Sequence, residues 1–158
     1  MKLIIISDTH LRVDRVVQRI KEIENVDLIL HLGDMFKDAD KISRRLGKKT
    51  IEVRGNCDMV GDRIPHTRQL IWQNKKILMT HGHEYNVKSS LNRLYYKAIE
   101  TRSDIVLFGH THAPMKKVLE GILFFNPGSP TYPREGSLPS FGIISVKNGE
   151  IQADVITI

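Results

Sequence analysis

The sequence predicts an α/β fold, and three observations carry the prediction. Short apolar runs rich in β-formers recur along the chain, and several end in a polar loop. Amphipathic stretches with apolar residues at helical spacing separate the first of them. The opening therefore reads β-α-β-α-β, the pattern of strands joined by covering helices. At 158 residues, with 41% hydrophobic and 27% charged residues, there is room for one globular domain spanning 1–158.

Leu3–Ile6 is a continuous apolar run that stops at Ser7-Asp8-Thr9-His10, as a buried strand feeding a loop does. Val13, Val16, Val17, Ile20 and Ile23 mark the first helix. Asp27–Leu32 is a second strand opening into Gly33-Asp34, Lys37–Leu46 a weaker helix, and Thr50–Val53 a third strand delivering Arg54-Gly55-Asn56-Cys57-Asp58. Arg68–Trp72 and Lys76–Thr80 flank a Gln73-Asn74-Lys75 turn, and the second run discharges into His81-Gly82-His83. Val87, Leu91, Leu94, Tyr95, Ala98 and Ile99 form the cleanest helical stripe. Asp104–Phe108 is a strand ending in Gly109-His110-Thr111-His112. Hairpins follow: Lys117–Phe125 around Glu120-Gly121, then Phe141–Val146 and Ile151–Ile156 around Asn148-Gly149, a type I′ signal. Asn126–Ser140, rich in Pro, Gly and Ser, is the one long loop.

The formal charge of +6 permits attraction to phosphates, but the basic residues are scattered pairs with few aromatics among them, so a nucleic-acid groove is not indicated. A single cysteine, Cys57, fits a reducing compartment. The apolar start is too short for a signal peptide and no stretch is long enough for a membrane helix, so the expected location is cytoplasmic.

Histidine carries the chemical information. Of seven, five (His10, His81, His83, His110, His112) lie in polar segments immediately after strands. Asp8 and His10 are two residues apart, so an extended segment would send both side chains from one face, about 6–7 Å apart. His110 and His112 repeat the spacing. Asp34 and Asn56 add oxygen donors, each after a glycine. Imidazole, carboxylate and amide together suit divalent Mn, Fe, Co, Ni or Zn rather than Ca or Mg alone.

The ordered set Asp8-Thr-His10, Gly33-Asp34, Gly55-Asn56, His81-Gly-His83 and Gly109-His110-Thr-His112, with Asn126-Pro127-Gly128-Ser129 after it, resembles the calcineurin-like metallophosphoesterase family, in particular its small single-domain phosphodiesterases. The resemblance implies a two-sheet β sandwich flanked by helices, a four-layer αββα arrangement. It implies one metal on Asp8, His10, Asp34 and His112, and a second on Asp34, Asn56, His81 and His110, with Asp34 bridging. Two ions about 3.5–4 Å apart would acidify a bridging water to hydroxide for in-line attack on phosphorus. Manganese is the expected metal, with Ni, Co, Fe and Zn as alternatives. A small phosphodiester is the expected substrate, with no membrane partner and a homodimer as the assembly.

Where most of that family has Gly-Asn-His, this chain has Gly55-Asn56-Cys57, and a thiol cannot supply an imidazolium's charge. Asp34, Asn56 and Cys57 are the catalytic candidates. Cys57 as a nucleophile is the rival reading, and a small side chain filling space beside the metals is the preferred one. Asp58 loses its usual client, the missing histidine. His83, Asn126 and Arg134 are candidates for substrate contact, Asn126 also for orienting a ligand histidine, and Arg12 and Arg54 for a phosphate. His31 reads as a packed, hydrogen-bonded core residue and His66 as loop. The competing function is a scaffold of the same fold, like the retromer scaffold subunit, but all seven metal positions here keep competent side chains.

Overall fold

A computed structural model describes residues 1–59 and 61–158. The chain runs β1 (Lys2–Ile6), α1 (Asp14–Lys21), β2 (Val26–His31), α2 (Phe36–Leu46), β3 (Thr50–Glu52), β4 (Thr67–Trp72), β5 (Lys75–Thr80), α3 (Asn92–Thr101), β6 (Ile105–Leu107), β7 (Pro114–Leu119), β8 (Ile122–Pro127), β9 (Ser140–Lys147) and β10 (Glu150–Thr157). Short 3₁₀ turns occupy Gly61–Arg63 and His83–Tyr85.

Two five-stranded mixed sheets form, ordered β10-β9-β1-β2-β3 and β4-β5-β6-β8-β7. The strands β1, β2 and β3 are parallel, as are β5, β6 and β8, so their C-terminal ends gather on one edge of each sheet. Side-chain alternation sorts the apolar residues into three layers. Leu3 and Ile5 meet Ile77, Met79, Ile105, Leu107 and Phe125 between the sheets. Ile4 and Ile6 face the other way, onto Val16, Val17 and Ile20 of α1 and Ile42 of α2. Leu78, Val106 and Phe124 turn outward onto Leu94 and Ala98 of α3. Burial on both faces is why Leu3–Ile6 reads as an unbroken apolar run. The architecture is the expected helix-flanked double sheet.

Hairpin chemistry is uniform. The two-residue loops Gln73-Asn74, Glu120-Gly121 and Asn148-Gly149 all have positive φ at both positions, as a type I′ turn requires. Lys75, expected in a turn, is therefore the first residue of β5. The helical stripe also begins later than expected: Val87 precedes α3, in the loop after the His83–Tyr85 turn, and is buried beneath Gly82.

Candidate metal centre

The seven donor residues all lie in loops at strand ends, and the backbone there is unusual. Asp8, His10, Asp34, His110 and His112 all have positive φ, between 44° and 68°. The left-handed region costs an L-residue roughly 1–2 kcal/mol, and such strain gathers at functional sites. Asp8-Thr9-His10 and His110-Thr111-His112 are thus not extended, contrary to the simple strand-exit reading. The left-handed turns instead bring the side chains of Asp8, His10 and His112 together.

Asp8, His10, Asp34 and His112 converge, each offering a donor atom within 4.8 Å of the others. Nε2 of His10 and His112 are 3.4 Å apart, and His112 Nε2 is 3.2 Å from Asp8 Oδ1. His81 joins from the other side, its Nε2 3.5 Å from Asp34 Oδ1 and 3.9 Å from Asp8 Oδ1. The His110 ring lies 5.0 Å from the His81 ring. Asn56 is exposed on the loop after β3, its amide against the Cys57 sulfur at 3.5 Å. The Asp34 carboxylate therefore stands between the first group and His81.

Hydrogen bonds fix which face of the His81 and His112 imidazoles looks inward. His81 Nδ1 donates to the Leu32 carbonyl and His112 Nδ1 to the Tyr132 carbonyl, each at 2.8 Å, because a carbonyl can only accept. In the neutral rings Nε2 then presents a lone pair to the carboxylates. Asp8 Oδ1 and His81 Nε2 are both buried without a hydrogen-bond partner, and His112 Nε2, although close, is not aligned for one. Buried acceptors aimed at acceptors need a cation between them. The donor set thus fits a transition metal, of the kind imidazole and carboxylate favour.

Protons answer the same demand when no cation does. Burial raises the Asp8 carboxyl, but the pull of His112 and His81 outweighs it and holds the group at about 2. Contact with Asp8 raises the His112 imidazole. Burial, then the neighbouring His81 and Lys88, pushes His110 down to about 4, so its ring is neutral at pH 7.

Outer residues hold the loops. Asp58, left without its expected client, binds backbone: Oδ1 accepts from Met35 and Phe36 N–H at 2.7 and 2.9 Å, and Oδ2 from Gly55 N–H at 2.8 Å. It ties the Asp34 loop to the Asn56 loop. A buried chain does the same for Asp8 and His10. Gly33 N–H donates to His31 Nδ1, leaving His31 Nε2–H for the Thr9 hydroxyl, which donates to Asp38 Oδ2 at 2.7 Å; Leu11 N–H reaches the same oxygen. His31 is thus the packed, hydrogen-bonded core residue its sequence position implies. Ser129 and Thr131 donate to the Asp8 and Thr9 carbonyls, each at 2.8 Å.

The candidates for substrate contact separate. Asn126 is fully buried and spends its amide hydrogens on the Gly109 carbonyl and the Thr111 hydroxyl, so it positions the His110-His112 loop and has no face toward a substrate. Arg134 is exposed, its N–H bonded to the His112 carbonyl. His83 borders the centre, its ring 5.4 Å from His81 and 6.1 Å from His110. Cys57 is exposed, and its N–H donates to Asp34 Oδ1 at 3.0 Å. Asp38 and Thr131 carried no motif; their burial, full for Asp38 and partial for Thr131, is set only by the fold.

Comparison with known proteins points to one family. Residues 1–149 match the model of the calcineurin-like phosphoesterase superfamily domain. A probable metallophosphoesterase of Bacillus subtilis, YsnB, is 36% identical over 149 residues, 94% of this chain and 86% of that protein. The phosphodiesterase YfcE of Escherichia coli K12 is 28% identical, covering 91% of this chain and 87% of its own. In fold, the solved structure of Vps29 with zinc from Entamoeba histolytica superposes with a TM-score of 0.80 over 99% of this chain and 98% of that one, at 23% identity. With residues 1–149 matched to that domain and a relative 36% identical over 94% of its length, the chain belongs to the calcineurin-like phosphoesterases.

Proposed function

We propose that the protein is a dinuclear metal-dependent phosphodiesterase. The observation that carries the reading is the placement of Asp34, whose carboxylate belongs to the Asp8-His10-His112 group and lies 3.5 Å from His81 as well. One ion would be held by Asp8, His10, Asp34 and His112, the other by Asp34, Asn56, His81 and His110, with manganese the expected metal. When bound, such a pair acidifies water for attack on phosphorus and neutralises charge on the phosphoryl oxygens. The chain's own part is positional: Asp58, Asp38 and Asn126 fix the donor loops, and His81 and His112 are locked in the tautomer that offers Nε2.

A diester needs space for a second substituent. A cleft of about 880 Å³ adjoins the centre at Cys57, lined by Leu11, Met35, Phe36, Met59 and Ile64, with Lys37 and Arg63 among them. It offers apolar surface for that group and cations for further negative charge. A scaffold of the same fold is free to lose these donors, whereas all seven positions here keep competent side chains, which favours the enzyme.

The test strips the metal, restores Mn, Ni, Co, Zn or Mg separately, and assays an activated diester beside an activated monoester. Hydrolysis restored by a transition metal, faster on the diester, is expected; Asp34→Asn should lower it by more than about 100-fold, beyond the 10–100-fold of an outer residue. Full activity in Asp34→Asn, or none with any metal, would overturn the reading.

A further inference from the structure

We propose that His66, His83 and Glu84 hold an additional, exchangeable transition-metal ion beside the main centre. Their donor atoms come within 4.8 Å of one another, the second such convergence among the described residues. The hairpin brings them together: β4 and β5 pair with Thr67 opposite Thr80, so His66, just before β4, lies next to the residues that leave β5. The 3₁₀ turn at His83–Tyr85 then presents His83 and Glu84 to it.

The contacts leave donor atoms in want of a partner. Nδ1 of His66 and Nδ1 of His83 are both buried and unbonded. The two rings are 5.4 Å apart, and His66 Nδ1 is 3.5 Å from Glu84 Oε1, too long for a good hydrogen bond. An ion pair of His66 with Glu84 would explain one of these nitrogens and leave His83 unexplained. A cation explains all three residues.

Two imidazoles and one carboxylate form the His₂Glu set that binds zinc while leaving a coordination position open. The imidazoles select Zn, Co or Ni over Mg and Ca. All three side chains are at least part-exposed, so the ion would exchange with solvent and bind more weakly than ions in the buried centre. None of the three is a ligand in the dinuclear reading, so this inference stands apart from it.

The experiment dialyses metal-stripped wild-type protein, Glu84→Gln, His66→Gln and Asp34→Asn against rising Co²⁺, and measures ions per chain by elemental analysis with the visible absorption of cobalt. Glu84→Gln and His66→Gln should each bind one ion fewer than wild type at saturation, losing the last-filled cobalt band, with hydrolysis unchanged at low metal. Asp34→Asn should lose the tightly held ions and keep the weaker one. Equal stoichiometry in wild type and Glu84→Gln would overturn the proposal, whatever Asp34→Asn does. Loss of binding in Asp34→Asn alone would bear on the main centre only.

Discussion

Gly55 lies directly against Asp34: a β-carbon on Gly55 would come 2.0 Å from Asp34 Oδ1 and 2.5 Å from its backbone nitrogen. Rotating the carboxylate relieves the first contact but not the second. Gly33 packs back in return, its own β-carbon position 2.6 Å from the Gly55 nitrogen. The two glycines let the loops after β2 and β3 touch, which is how Cys57 N–H comes to reach Asp34 Oδ1. Gly55→Ala should therefore push the Asp34 loop away and weaken metal binding by more than about 100-fold, with the β-sandwich still folded. Gly47→Ala is the control: Gly47 also has positive φ, but open space surrounds it, so only about 1 kcal/mol of stability should go and metal affinity should hold. Calorimetric titration with Mn²⁺ and thermal melts check both; an unweakened Gly55→Ala would refute the close-approach argument.

Much of this site was legible in the sequence because its donors are spaced by the sheet. Parallel strands deliver their ends to one edge, so five polar segments after apolar runs had to become neighbours. The same logic reached too far at Asp8-His10, where an extended segment was expected and left-handed turns stand instead. Periodicity reports which residues are buried, not the φ of a loop held by its surroundings. Asp58 shows the other gap. Its three backbone partners lie 3, 22 and 23 residues away, and no local pattern announces a carboxylate serving N–H groups that the fold brings to it. His66 read as loop for the same reason, since its relation to His83 and Glu84 exists only through the pairing of β4 with β5.

Cys57 is exposed yet chemically quiet. Burial of the sulfur, then the hydrogen-bonded Asp34 carboxylate and the charges of Asp34, Asp58 and Asp8, push its thiol up to about 11 from the ordinary 9.0. The thiolate is the reactive form, so metal-free protein at pH 8 should react with iodoacetamide about 100-fold more slowly than an ordinary thiol. Cys57→Ser should keep metal-dependent hydrolysis within about threefold. Mass spectrometry of the alkylation and the diester assay test the two halves. Rapid labelling, or complete loss of turnover in Cys57→Ser with metals still bound, would revive the nucleophile reading.

His31 makes stability depend on pH in a window that its burial sets. Burial outweighs the attraction of Asp38, Asp58 and Asp8 and lowers the imidazole from 6.5 to about 4. Its bonds to Gly33 N–H and the Thr9 hydroxyl also suit only the neutral ring, with Nδ1 accepting and Nε2 donating. The folded value lies below the unfolded one, so between pH 6.5 and about 4 the unfolded chain binds the extra proton. The contribution is complete above pH 6.5 and drains away as pH falls through that window, by about 3 kcal/mol in all. His110, also lowered to about 4, titrates over the same range. Comparison with His31→Gln isolates the first: between pH 7 and 4.5, metal-free wild type should lose about 2–3 kcal/mol more than the variant in urea unfolding. The imidazole resonances of His31 should still report a neutral ring at pH 5. Parallel stability curves for the two proteins, or a His31 titrating near 6.5, would show that the chain from Gly33 through His31 and Thr9 to Asp38 does not hold the Asp8–His10 loop as described.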